Sequence, residues 1–196
     1  MTINRFRTAF LAIFIVALAG CETAVPENGS AEMTFLHLDP IRLNVVDLQI
    51  ATEPGAAIDP RGVSAKFPTT PIKAVNRWAQ DRLRAAGPRN IARFTIHSAR
   101  VSETPLQVDS GVKGLFKKEL SERYDTNIEA SLEILDPNGL RRARVISKAA
   151  RSATIREDAT INERETRLMK LVEDLMADFN AQMDANVGRY MVEFLL

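Results

Sequence analysis

The sequence contains one cysteine and two histidines in 196 residues. A disulfide framework needs paired cysteines, so this fold must stand on packing alone. Glycine and proline number nine each, too few for a fibrous or low-complexity chain. An excess of one charge sign is also missing. Lysine and arginine total 26 against 25 acids; counted from Cys21 the balance is 24 to 25, because residues 1–20 hold Arg5 and Arg7 and no acid. A near-neutral body lacks the field that phosphate binding requires, which excludes nucleic acid as the main partner. The longest apolar run, Ala9 to Ala19, is eleven residues, against the roughly 20 of a spanning helix. No glycine-rich phosphate loop, G-x-S-x-G elbow or H-E-x-x-H pair occurs. What is present is 45% apolar and 26% charged, the make-up of one globular domain with a real core.

The clearest signal is N-terminal. Met1 to Arg7 is short and basic, Ala9 to Ala17 is apolar, and Leu18-Ala19-Gly20-Cys21 follows. Charged start, apolar middle and small residues before a cut make residues 1–20 a secretory signal peptide. Leu18 to Cys21 resembles the lipobox of bacterial lipoproteins, a family in which signal peptidase II cuts between Gly20 and Cys21 and the thiol receives a diacylglycerol. The resemblance covers about a tenth of the chain. It implies palmitate-type acylation at Cys21, which consumes the only thiol and removes cysteine chemistry from the mature protein. Each buried methylene contributes about 0.8 kcal/mol, so several acyl chains hold the body at a membrane for good. Glu22 stands where the family's inner-membrane retention signal is an aspartate, which implies the outer membrane, periplasmic face. Residues 21–34 are polar and aperiodic, with Pro26, Asn28-Gly29 and Ser30, and read as a tether of roughly 20 Å r.m.s. span.

Residues 35–196 form the single domain. Ile41, Leu43 and Val45 alternate with Arg42 and Asn44, and the phase slips at Val46 before Leu48 and Ile50, predicting one bulged strand. Thr70 as N-cap, Pro71 at the first helical position and Gly87 past the end frame a helix carrying Ile72, Val75, Trp78, Ala79, Leu83 and Ala86. Ala92, Phe94 and Ile96 predict a strand running on to Val101 or Thr104. Tyr124 to Ile134 predicts another, with Asp125, Asn127, Glu129, Ser131 and Glu133 on a wet face. Asp136-Pro137-Asn138-Gly139 suits a type I turn, and a four-residue loop sets Leu135 opposite Leu140 and Leu132 opposite Ala143. Thr160 and Glu163 form a capping box before a helix of residues 160–187, with Ile161, Leu168, Leu171, Val172, Leu175, Phe179 and Met183 at helical spacing. The order β-α-β-β-β-α predicts an α+β two-layer sandwich: about four antiparallel strands with two helices on one face.

Chemistry is thinly represented. His37 lies in an apolar stretch and His97 on the solvent side of a strand, with nothing in the spacing to complete a metal site or a catalytic base. Ser98 cannot serve His97, since adjacent strand residues point to opposite faces. The run Arg141, Arg142, Arg144, Lys148 and Arg151 reads as a solvated face paired with Glu133 and Glu129, or alternatively as an anion-binding face. Leu115, Phe116, Lys117 and Lys118, flanked by glycines, suit a loop tip touching a membrane or partner, or else a plug of the sheet end. Residues 190–196 are apolar for a chain end and pack on the core or dock elsewhere. The expectation is a non-enzymatic, lipid-anchored accessory lipoprotein with no cofactor and no metal, attached to the membrane through Cys21 and bound to an envelope protein. The alternative is a carrier of lipid or another apolar ligand held between helices and sheet. In size and element order the body looks like the small auxiliary lipoproteins of envelope transport and assembly systems, an analogy of architecture.

Overall fold

The computed structural model describes residues 33–106 and 120–196. Short strands β1 (Ile41–Leu43) and β2 (Asp47–Thr52) precede a 3-10 turn (Val63–Lys66), helix α1 (Pro71–Arg82) and strand β3 (Leu83–Ala85). Three long strands follow, β4 (Ile91–Pro105), β5 (Leu120–Leu135) and β6 (Arg141–Arg156), then helix α2 (Ile161–Tyr190) and a 3-10 turn (Val192–Phe194). The main sheet has the order β2-β4-β5-β6, and β1 pairs with β3 in a separate two-stranded sheet. Both helices lie on one face, as the sequence implied. The core joins the layers through Trp78 of α1, whose ring stands 5.6 Å from Phe94 of β4 and 5.2 Å from Phe179 of α2. All three are fully buried, and truncating either phenylalanine to alanine removes about 3–5 kcal/mol.

Four expectations need correction. The sheet is mixed, because β2 runs parallel to β4, and β1 runs parallel to β3. Residues 41–50 are not one bulged strand: the slip at Val46 is where the chain leaves one sheet for the other. Helix α1 stops at Arg82, and Leu83 starts β3 while remaining buried. Gly87 is therefore no helix cap. Its backbone passes so close to Asn44 that a Cβ would stand 2.5 Å from the Asn44 carbonyl carbon. Last, the β5–β6 register is displaced by two residues: Leu132 faces Val145 and Ile128 faces Ala149. The loop is one residue longer than expected, with Leu135 opposite Arg141, and Arg142 bulges between Arg141 and Ala143. A shift of two preserves which side chains face the core, so Val145 and Ala149 are still buried.

The caps are as the sequence indicated. Thr160 Oγ1 accepts from Glu163 N, and a Glu163 carboxylate oxygen accepts from Thr160 N at 2.8 Å. Ile161, counted above with the apolar stripe, is instead 78% exposed. The C-terminal segment packs on the body: Met191 is buried, Leu195 bridges Leu43, and Asn44 N donates to Phe194 O at 2.7 Å.

Candidate functional site

Gly20 and Cys21 of the lipobox, and Leu115, Phe116, Lys117 and Lys118 of the expected contact loop, lie outside the described residues. What the structure places is the start of the described chain, Met33 to Asp39, against the body. Phe35 is buried, and Met33 and Leu38 pack against the core. Phe35 N donates to Asp81 Oδ2 at 2.9 Å, and Arg77 Nε reaches the same oxygen at 3.1 Å. One residue on, the buried Arg82 guanidinium binds the Asp39 carbonyl and the Asp184 carboxylate. Asp184 also accepts from Asn180 Nδ2 at 3.0 Å, and Asn180 Oδ1 accepts from Trp78 Nε1 at 2.8 Å. Trp78, Asn180, Asp184 and Arg82 thus form one network that ties α1 to α2 and clamps residues 35–39. An apolar groove of about 570 Å³ opens beside the clamp, between Met33, Phe35 and Leu38 on one wall and Met169 and Met176 of α2 on the other, with His37 at its rim.

His97 lies on the solvent side of β4, as expected, but Ser98 does not point to the opposite face. A β-bulge at this residue puts both His97 and Ser98 on the open face of the sheet, away from α1 and α2. Its Nδ1 lies 2.6 Å from Glu53 Oε1 and its Nε2 lies 2.8 Å from Ser131 Oγ. Glutamate, imidazole and serine in that connectivity are the parts of a nucleophile-activating triad. Ser131 is only 1% exposed, however, so no carbonyl carbon can reach its Oγ in this conformation. Ser98, for its part, accepts from Asn127 Nδ2 at 2.8 Å. Sequence reasoning missed this chain because its members stand 44 and 34 positions apart; the bulge that aligns them leaves no mark in one sequence.

The basic run is mostly paired. Arg141 and Arg144 meet Glu133 at 3.2 and 3.3 Å, Lys148 meets Glu129 at 3.0 Å, and Arg151 grips Asp178 with contacts of 2.5 and 2.7 Å. The last pair crosses to α2 on the helix side of the sheet. Its hydrogen bonds hold the Asp178 carboxyl below the ordinary aspartate value and push Arg151 up. At the far end of the layers, Tyr124 donates to Glu122 at 2.9 Å, Glu122 meets Arg164, and Lys66 meets Glu103 at 2.6 Å. Burial and the bond to Glu122 raise the Tyr124 hydroxyl; the Glu103 bond raises Lys66. Burial works to raise Glu122, but the Tyr124 hydroxyl and Arg164 prevail and hold it below the ordinary range.

Among the described residues no group of three or more histidine, cysteine, aspartate or glutamate side chains is disposed to hold a metal ion. Nor is any helix among them long and apolar enough to cross a membrane. No protein-family model matches the chain, and no curated protein matches it in sequence. Solved structures do resemble it, and the three named here are lipoproteins. A minor lipoprotein from Acinetobacter baumannii is 14% identical over 74% of this chain and 92% of its own, with a TM-score of 0.35. The rare lipoprotein B of Shewanella oneidensis is 7% identical over 70% and 98%, at 0.27. A protein from Caulobacter crescentus described as a putative lipoprotein is 10% identical over 69% and 90%, at 0.24. Likeness at this level transfers no site and no activity.

Proposed function

We propose that this chain is a non-enzymatic, lipid-anchored accessory lipoprotein of the bacterial envelope, held at the periplasmic face of the outer membrane by acylated Cys21 and bound to another envelope protein. The observation that carries the reading is the lipobox Leu18-Ala19-Gly20-Cys21 after a basic and apolar leader, followed by a polar tether that runs into the clamped residues 35–39. A covered Ser131 favours a binding role over hydrolysis, with His97 bracing a bulge. One observation favours lipid carriage as a second reading, the methionine-walled groove of about 570 Å³. It lies between residues 33–38 and α2, whereas Trp78, Phe94 and Phe179 between the layers are fully buried.

Metabolic labelling with radioactive palmitate, followed by density fractionation of the membranes, tests the anchor. The wild-type chain takes up label and bands with the outer membrane, and Cys21→Ser takes up none. An unlabelled wild-type chain, or a labelled Cys21→Ser, defeats the proposal. Native mass spectrometry of the extracted protein separates the two binding readings: a protein adduct supports the accessory role, and a lipid-sized adduct beyond the Cys21 modification supports carriage.

A further inference from the structure

The outward stripe of α2 carries two concavities in series. The methionine-walled groove described above reaches Met169 and Glu173, and a second hollow of about 340 Å³ starts on those same two residues and continues to Thr166, Glu165 and Asn162, with Pro68 opposite. Asn162, Thr166, Met169, Glu173, Met176 and Asn180 recur every three or four positions, which sets them in one line along the helix. Together the hollows make a trough from Asn162 to Asn180, roughly 27 Å long at 1.5 Å per residue. Its two halves differ in character. The end walled by Met33, Phe35 and Leu38 is apolar, and the other end is polar apart from Pro68 and Met169.

Charge narrows what such a trough can hold. Glu165 and Glu173 are exposed and neither carboxylate meets a cation among the described residues, whereas Lys170 beside them is neutralised by Asp174 at 2.9 Å. His37, the remaining titratable group of the trough, stands at its apolar end. Two uncompensated carboxylates disfavour an anionic membrane surface and the head of a free fatty acid. They also disfavour the chain's own preceding segment, because residues 22–32 hold Glu22, Glu27 and Glu32 and no lysine or arginine. The backbone of α2 is bonded within the helix, so a ligand finds side chains to pack on and no ladder to extend. A helix, with its own backbone bonds closed, is the peptide form that binds such a surface, and thioether walls adapt to its apolar side chains.

We propose that the trough along α2 docks a cationic amphipathic helix of a partner protein, roughly 18 residues long, with aliphatic side chains over Met176 and Leu38 and lysine or arginine against Glu173 and Glu165. This names the surface for the partner-binding reading above and rests on it only in taking the ligand to be a protein; the anchor does not enter. An apolar lipid in the same groove is the competing occupant. It leaves the acidic half of the trough unused.

The mature chain from residue 21, bearing Cys21→Ser and free of detergent, is titrated with a fluorescein-labelled eighteen-residue peptide and read by anisotropy. The peptide has leucine at its third, seventh and tenth positions, lysine at its fourteenth and seventeenth, and alanine and glutamine elsewhere. The expected result is saturable one-to-one binding that Glu173→Lys weakens at least fivefold and Ala177→Trp, which fills the apolar half, at least tenfold. Both positions are exposed on α2, so neither substitution enters the core. A second peptide with glutamate in place of both lysines binds the Glu173 chain at least fivefold more weakly than the first and regains affinity for Glu173→Lys, a reciprocity that a loose apolar contact does not give. Absence of binding, affinity indifferent to the substitutions and to the charge exchange, or uptake of a dansylated fatty acid with refusal of the peptide overturns the proposal. So does sedimentation showing the trough already covered by a second copy. Because the titration uses an unacylated chain, its failure leaves the Cys21 reading intact, and a failed palmitate label leaves the trough intact.

Discussion

Asp81→Ala tests whether residues 33–39 are clamped to the body or merely lie along it. The substitution removes the acceptor of the Phe35 N–H, 2.9 Å away in a buried setting, and the partner of Arg77 Nε at 3.1 Å. Leaving a buried donor unsatisfied costs about 1–3 kcal/mol. Burial of the Phe35 side chain contributes a similar amount, about 1.5–3 kcal/mol. The segment's attachment is thus comparable in size to the loss, and it opens locally before the sheet does. At tenfold per 1.4 kcal/mol, amide exchange over residues 33–40 accelerates about 5- to 140-fold, while amides in β4 and β5 keep their rates. Hydrogen exchange read by mass spectrometry on the full chain measures both regions at once. Unchanged exchange at 33–40, or acceleration spread evenly over the sheet, would refute the clamp.

Gly87→Ala drives a Cβ into the Asn44 backbone and should lose about 1–3 kcal/mol as overpacking; a stability within 0.5 kcal/mol of wild type, on the scale of ordinary surface changes, would show that the β1–β2 junction yields freely. Tyr124 is raised above its ordinary 10.0, so its contribution is complete below that pH and disappears as pH climbs through the folded value. Glu122 is depressed below 4.5, so its contribution is complete above that pH and is lost on acidification. Tyr124→Phe should therefore flatten the alkaline limb of a stability–pH curve and shrink the acid-linked loss, at about 0.5–1.5 kcal/mol near neutrality; an unaltered alkaline limb argues against the assignment. A fluorophosphonate probe should leave the folded chain unlabelled, given the cover over Ser131, and stoichiometric labelling abolished by Ser131→Ala would revive a hydrolase.

Local rules made some elements legible and left others hidden. The Thr160–Glu163 capping box and the buried stripe from Leu168 to Met183 depend on residues within a turn or two, and both are present. Strand faces were readable because alternation has period two, and that same period concealed the two-residue register shift created by one extra loop residue together with the bulge at Arg142. Strand direction has no period at all, so the parallel pairing of β2 with β4 left no trace. Leu83 satisfies an apolar stripe in a helix and in a strand alike, and only pairing with Ile41 decides between them. The clamp did leave a hint: Arg82 continues the Pro71, Val75 and Trp78 stripe, so a charge was due on the buried side of α1. Glu53, His97 and Ser131 come together only once distant strands are aligned.

The linkage of β1 to both β3 and the C-terminal segment has a mechanical consequence. A pull on the chain at Met33, such as the proposed anchor would exert, meets the Phe35–Asp81 and Asp39–Arg82 bonds first. Beyond them stands β1, bonded on one side to β3 and on the other through Asn44 to Phe194 and through Arg42 to Leu196. Tension along that strand loads these bonds in shear, all together, instead of peeling them one by one. Tension entering at Met33 is absorbed by a short joint that gives way and re-forms, and the three long strands behind it stay unstrained.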